Sequence, residues 1–194
     1  MKYILYFLVI FFATTLGAQN TTYSKLSINN LKESELYIKG KTNVNTFTCL
    51  FNTAYLKECQ EIFYIENNGE FNFKNAVLVL DNHGFDCGSR PVNRDFNALL
   101  KTEEYPEITL EVKTAEILPA GACATVAIGI AGKVLEYKVP ITIINSENTH
   151  FKGLLQLKLS DYELELPKKL FGLIEVKDEI EIHFDISAQY KELY

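Results

Sequence analysis

Apolar and polar residues alternate along most of this chain. In EITLEVK, the side chains of Ile108, Leu110 and Val112 point to one side of an extended segment, and charged or hydroxyl side chains point to the other. The same period of two recurs in VLEYKVPITII, GLLQLKLS and DEIEIHFDIS. Alternation over such lengths predicts half-buried antiparallel strands with one apolar face each.

Shorter segments add to this pattern. ESELYIKG, TFTCLFN, EIFYIE and FNFKNAVLVLD predict earlier strands, and ENNG predicts a turn between two of them. Gly132 marks a tight turn, so residues 126–130 and 134–143 are interpreted as a hairpin. Pro140 indicates an edge or a bulge. With about eight or nine strands and no internal repeat, the chain is predicted to form one all-β domain.

One break in the alternation predicts curvature. The apolar positions shift from odd to even numbers between Leu159 and Tyr162. A bulge or corner near Ser160 and Asp161 explains this shift, and corners of that kind let a sheet curl towards a closed barrel.

The segment PVNRDFNALLK predicts one short helix. Phe96, Leu99 and Leu100 have helical spacing, and Pro91 suits a first turn. Tyr105 precedes a proline and should return the chain to extended geometry. Two interpretations remain open. The helix either closes one end of the curled sheet and buries Phe96 and Leu100, or it is a surface connection whose phenylalanine fills the core.

The first 18 residues have the layout of a secretory signal peptide, with Lys2, an apolar run and small residues before Gln19. The alternative is an N-terminal membrane anchor, for which the apolar run is short. We therefore expect one mature domain over residues 19–194, located in the periplasm or outside the cell.

Four cysteines, Cys49, Cys59, Cys87 and Cys123, lie in the mature region. An even number in an exported chain indicates disulfides, but three pairings are possible. A metal site is the alternative. The nearest pair of possible ligands, His83 and Cys87, lacks the usual spacing, so no metal is predicted.

Charge and motifs narrow the function classes. The formal net charge is −6, which gives no electrostatic basis for binding nucleic acid. No serine-hydrolase elbow, zinc-protease motif or phosphate-binding glycine loop is present, and the three histidines are far apart in the sequence. We therefore predict neither an enzyme nor a cofactor. A barrel of about eight strands holds either its own side chains or one small ligand.

Several segments carry a family resemblance. DFNALLKTEEYPEITLEV resembles the helix-to-strand segment of the YceI-like, polyisoprenoid-binding family. FKGLLQLKLSDYELELPKKLFGLIEVKDEIEIHFDI resembles its final segment, IAGKVLEYKVPITI its middle hairpin and SELYIKGKTNVNTFTCLF its opening strands. The resemblance extends from about residue 26 to residue 187.

The resemblance implies an antiparallel, eight-stranded, lipocalin-like barrel with a short helical segment near one end, at the mouth of an interior cavity. It also implies binding or transport, without catalysis, of an apolar lipid such as an isoprenoid, a quinone-like molecule or a fatty chain. A homodimer is possible. The cysteines lie outside the general family pattern. They resemble a subgroup feature in which Cys49 pairs with Cys87, which leaves Cys59 for Cys123.

Strand parity alone suggests which apolar side chains form the ligand-binding wall, because the resemblance supplies no signature ligand contact. The predicted wall residues are Phe47, Phe51, Phe96, Leu100, Ile108, Leu110, Ile128, Ile141, Leu155, Leu157 and Phe171. Two other hypotheses remain: an envelope or extracellular interaction module with a filled core, and an enzyme whose scattered polar residues meet in a cleft.

Overall fold

The computed structural model describes residues 23–29, 31–56, 59–166, 168–169 and 174–193. The predicted signal peptide lies outside these residues. The strands are β1 (Ser24–Asn29), β2 (Glu35–Thr42), β3 (Thr46–Phe51), β4 (Cys59–Asn67), β5 (Glu70–Lys74), β6 (Val77–Asp81), β7 (Phe85–Asp86), β8 (Glu107–Leu118), β9 (Gly121–Ile130), β10 (Lys133–Asn145), β11 (Thr149–Lys158), β12 (Lys168–Lys169) and β13 (Ile174–Leu193). One α-helix, α1, spans Arg90–Leu99, and short 3-10 helices lie at Leu31–Glu33, Thr53–Tyr55, Asn82–Gly84 and Leu159–Tyr162.

Eight antiparallel strands form a closed ring in the order β1, β4, β5, β8, β9, β10, β11 and β13. β13 closes the ring because its last residues pair with β1, from Asn29 opposite Gln189 to Lys25 opposite Leu193. Closure removes the exposed edges that an open sheet would have. The predicted all-β, eight-stranded antiparallel barrel is confirmed.

A side branch extends the wall at one end of the ring. The first part of β13 pairs with β2, β2 pairs with β3, and β3 pairs with the two-residue strand β7. α1 follows β7 and leads into the start of β8. We call the end of the barrel at which α1 lies the helix end.

Pro140 marks a boundary inside β10. The ladder between β9 and β10 continues past Pro140 without interruption. The ladder between β10 and β11 begins only at Ile141, opposite Gly153. Proline has no backbone N–H to donate, so a ladder ends naturally beside it. The edge predicted at Pro140 is therefore local: among the described residues, the part of β10 before Ile141 pairs only with β9.

The hairpin between β9 and β10 has a two-residue turn. Ala131 and Gly132 both have positive φ, 48° and 80°, as the tight mirror-image turn of a hairpin requires. The ring of Tyr105 lies against Gly132, in the space that a side chain there would need. Tyr105, at which the chain returns to extended geometry before Pro106, thus packs against the hairpin of β9 and β10.

At the helix end, α1 packs against the core through Phe96. Phe96 is 8% exposed and Leu100 is 3% exposed, and the Phe96 ring lies 5.2 Å from that of Phe85. Burial of Phe96 fits both interpretations, and burial of Leu100 favours the first.

The parity shift after Leu159 is a corner and not a bulge. β11 ends at Lys158 and is followed by the 3-10 helix Leu159–Tyr162, so no bulged strand continues there. This turn directs the fully buried Tyr162 inward, and the Tyr162 hydroxyl donates a hydrogen bond to the Ile128 carbonyl.

Cys49 and Cys87 form a disulfide, as the resemblance suggested. The second predicted pair, Cys59 with Cys123, is wrong, because Cys123 is a free cysteine. Two strands, β5 and β8, separate β4 from β9 in the ring. Three strand spacings amount to roughly 14 Å, far beyond the reach of a disulfide.

Among the described residues, no helix has both the length and the apolar character needed to cross a membrane.

Candidate functional site

An apolar cavity lies inside the barrel. Inward side chains of β1, β4, β6, β8, β9, β10, β11 and β13 all contribute to its wall. The lining includes Ile128, Val139 and Leu155, which are 0%, 2% and 6% exposed. Strand alternation produces this wall, since every second residue of each ring strand points inward.

The wall carries almost no polar atoms. Gln60 on β4 is the only polar side chain among the described residues that line the cavity. Its Nε2 atom already donates a hydrogen bond to the Val77 carbonyl at 2.9 Å. A surface of this kind excludes charged substrates and favours hydrocarbon, because a buried charge without a partner is costly.

The cavity has a volume of about 180 Å³. A cavity of about 150 Å³ holds a molecule the size of benzene, and pockets for drug-sized ligands measure roughly 300–1,000 Å³. In this conformation the interior therefore accommodates a short apolar group. A longer chain needs movement of the wall or space outside it.

The predicted wall residues fall into four groups. Leu110, Ile128 and Leu155 line the cavity. Five others are buried in the core without lining the cavity: Phe51, Phe96, Leu100, Ile108 and Leu157. Phe47 and Ile141 are half-buried against that core. Phe171 lies outside the described residues. The role of each in binding stays a prediction.

The division shows which side chains border empty space. Phe96 and Leu100 are part of the buried core cluster. No residue of α1 lines the cavity. The place of the helix near the cavity mouth stays a prediction.

Sequence reasoning missed two aromatic residues of the wall, Phe151 and Phe184. The alternation in β13 already placed Ile182, Phe184 and Ile186 on one face, and all three line the cavity. Parity identifies that face, but it does not say which of its residues border empty space.

Polar clusters lie on the outer surface of β11, β13 and β2. The Asp185 carboxylate is 2.8 Å from His150 Nδ1 and 2.8 Å from Lys152 Nζ. Burial raises the pKa of the Asp185 carboxyl, but the hydrogen bonds with Lys152 and His150 outweigh burial, so this pKa lies below its ordinary value. These groups form ion pairs along the wall and do not reach the cavity.

The second cluster is centred on His183. Its ring stacks on Tyr37 with centroids 4.6 Å apart, and its Nε2 atom is 3.0 Å from Glu181 Oε2. The hydrogen bond with His183 holds the pKa of the Glu181 carboxyl below its ordinary value. In the described part of the chain, no group of three His, Cys, Asp or Glu side chains is placed to hold a metal ion.

Comparison with known proteins identifies this architecture. The model of the YceI-like domain matches residues 61–188, about two-thirds of the chain. The chain belongs to the YceI-like family. None of the curated proteins matches it.

Solved structures share the YceI-like fold. BcnA of Burkholderia cenocepacia superposes with a TM-score of 0.62 at 22% identity, over 83% of this chain and 99% of that protein. A polyisoprenoid-binding domain from Saccharophagus degradans, implicated in plant cell wall breakdown, superposes with a TM-score of 0.55 at 14% identity, over 85% and 98% of the two chains. At such identities the likeness concerns the fold.

Proposed function

We propose that this protein is an exported lipid-binding protein that holds an isoprenoid-like chain inside its barrel and acts without catalysis. The observation that carries this proposal is the cavity, which lies within the barrel and, among the described residues, is lined by hydrocarbon except for Gln60. Burial of apolar surface contributes about 0.8 kcal/mol per CH₂ group, or roughly 4 kcal/mol for a five-carbon isoprene unit, before the cost of association.

Two further points support the proposal. A relative with the same fold is described as a polyisoprenoid-binding domain. The Cys49–Cys87 disulfide and the predicted signal peptide agree with an oxidising, exported location. A role without catalysis is supported by membership of the YceI-like family, in which a relative of the same fold is described as a binding domain.

The second candidate, an interaction module with a filled core, is favoured by one observation. Most of the predicted wall residues pack against each other, and the remaining cavity is only about 180 Å³. Such a protein would act through its surface and bind no lipid.

Native mass spectrometry distinguishes the lipid-binding protein from the interaction module. The protein is expressed with its own N-terminus, and the purified form is examined for bound mass, N-terminal residue and oligomeric state, followed by lipid extraction. Leu155→Asp places a charge in the cavity, whereas Leu154→Asp places one on the outer face, where Leu154 is 41% exposed. We expect a stoichiometric apolar adduct that is lost only in Leu155→Asp. A protein that stays free of adduct after incubation with isoprenoid alcohols, quinones and fatty acids supports the interaction module.

A further inference from the structure

The barrel wall has a gap between β4 and β6. The ladder between β4 and β5 ends where Phe63 lies opposite Lys74. Asn75 follows the last residue of β5 and has a positive φ of 65°. β6 begins two residues after Asn75, at Val77. Within the described residues, β6 pairs only with β8, so its edge towards β4 has no strand beside it.

One side-chain hydrogen bond crosses this gap. Gln60 lies on the part of β4 that precedes its ladder with β5. Its Nε2 atom donates a hydrogen bond to the Val77 carbonyl at the start of β6. Gln60, Val77 and Leu78 line the interior cavity and also a groove on the outer surface. Among the described residues, these three border both spaces at this point.

The outer groove is amphipathic. It has a volume of about 550 Å³. Tyr55, which is 54% exposed, together with Leu56 and Val79, supplies apolar surface. The charged residues that line it are Glu61, Asp81 and Glu107, and no Lys or Arg of the described chain is among the lining residues.

Within the described residues, the charges in the groove are only partly compensated. Lys25 lies outside the lining and pairs with Glu61 at 2.6 Å. His83 Nδ1 is 3.2 Å from Asp81, and Glu107 lies directly opposite Asp81 in the ladder between β6 and β8. Two carboxylates thus face each other with one histidine beside them, an arrangement that repels anions.

We propose that this groove is the outer half of the ligand site: the lipid chain passes between β4 and β6 into the cavity, and an uncharged or cationic head group stays in the groove. This inference rests on the proposed function and specifies its ligand. It also accounts for the size of the interior, because a chain that exceeds about 180 Å³ continues into the adjoining groove.

The location of the head group can be tested with a fluorescent reporter, because the chain contains no tryptophan. Tyr55→Trp places a single tryptophan in the groove, and Leu154→Trp places one on the outer face of β11. The probe is geranylgeraniol esterified at its hydroxyl with a nitroxide quencher. We expect quenching at position 55 only. Quenching at neither position, with the probe bound one to one by native mass spectrometry, would place the head group elsewhere and overturn the proposal.

The head-group chemistry is tested by comparing geranylgeraniol with geranylgeranyl phosphate. The phosphate is expected to bind at least tenfold more weakly at low salt, and this difference should shrink as salt is added. Glu107→Lys should reduce the difference about three- to tenfold. Glu136→Lys makes the same charge change on the exposed face of β10 and should leave it unaltered.

Equal binding of the two lipids, or equal effects of the two lysine variants, would overturn the assignment of the head-group site. If neither lipid binds to any form of the protein, the proposed function fails as well.

Discussion

The edge of the Phe184 ring occupies the space in which a side chain at position 153 would begin. Gly153 on β11 and Phe184 on β13 are direct cross-strand neighbours, and Phe184 lines the cavity. The absence of a side chain on one strand therefore fixes the position of an aromatic ring on the next. That ring forms part of the boundary of the proposed ligand site.

Gly153→Ala is expected to displace Phe184 towards the cavity. Overpacking of this kind costs about 1–3 kcal/mol of the free energy of unfolding, and the displaced ring should weaken lipid binding. Urea unfolding and titration with geranylgeraniol measure the two effects. Phe184→Leu should relieve most of the stability cost, because a smaller side chain leaves room for the new methyl group. An equal cost in both backgrounds would contradict this explanation.

Gly40 provides the matched control. The ring of Phe47 occupies the space above Gly40, its direct neighbour on the adjacent strand. Phe47 does not line the cavity. Gly40→Ala should therefore destabilise the protein similarly and leave lipid affinity unchanged.

Much of this fold could be predicted from alternation alone. Inward positions such as Ile108, Leu155 and Ile182 are buried as the period of two requires. Ring closure could not be predicted from the same pattern, because it depends on pairing between β1 and the end of β13. A shift in register between Val112 and Thr114 also escaped prediction. Before the shift the inward residues of β8 have even numbers, up to Val112, and after it they have odd numbers, from Ala115. The shift is visible only in the pairing with β9.

The candidate site could be predicted only in part. Parity identified Leu110, Ile128 and Leu155, but it also selected Phe96 and Leu157, which pack into solid core. The difference depends on which inward side chains border empty space, which parity does not determine. The gap beside Gln60 was also missed, because it follows from the divergence of β4 and β6 and not from any local motif.

Removal of the disulfide should strongly destabilise the barrel. Cys49 and Cys87 are 38 residues apart in sequence and are buried, with exposures of 0% and 8%. The loss of loop-closure constraint on the unfolded chain predicts a cost of roughly 4 kcal/mol for Cys49→Ala with Cys87→Ala. Urea unfolding with and without reductant measures this cost.

Cys123 supplies the control for that experiment, because it is a free cysteine. Cys123→Ser should shift the urea midpoint little, and its sensitivity to reductant should match that of the unchanged protein. A double variant of Cys49 and Cys87 that still responds to reductant would indicate another disulfide.

Acid should weaken the contribution of Asp185. Its pKa is lowered in the folded state, so the stability it supplies is present above the unfolded value near 3.8 and is lost as pH falls through the folded pKa. Asp185→Asn should reduce stability at neutral pH by up to about 1 kcal/mol, and the difference from the unchanged protein should vanish in strong acid. Unfolding in urea at pH 7, 5 and 3 tests this. A difference that is constant with pH would argue against it.

Two leucines on one face of β11 separate ligand binding from stability. Leu155 lines the cavity, whereas Leu157, two residues along the strand, is buried in the core without lining it. Substitution of either by alanine should cost about 2–5 kcal/mol of the free energy of unfolding, because both side chains are lost from a packed interior. Only Leu155→Ala enlarges the existing cavity. It should therefore shift the preference among geraniol, farnesol and geranylgeraniol towards longer chains, while Leu157→Ala leaves that order unchanged. If both variants alter chain-length preference equally, the cavity beside Leu155 does not set the size of the ligand.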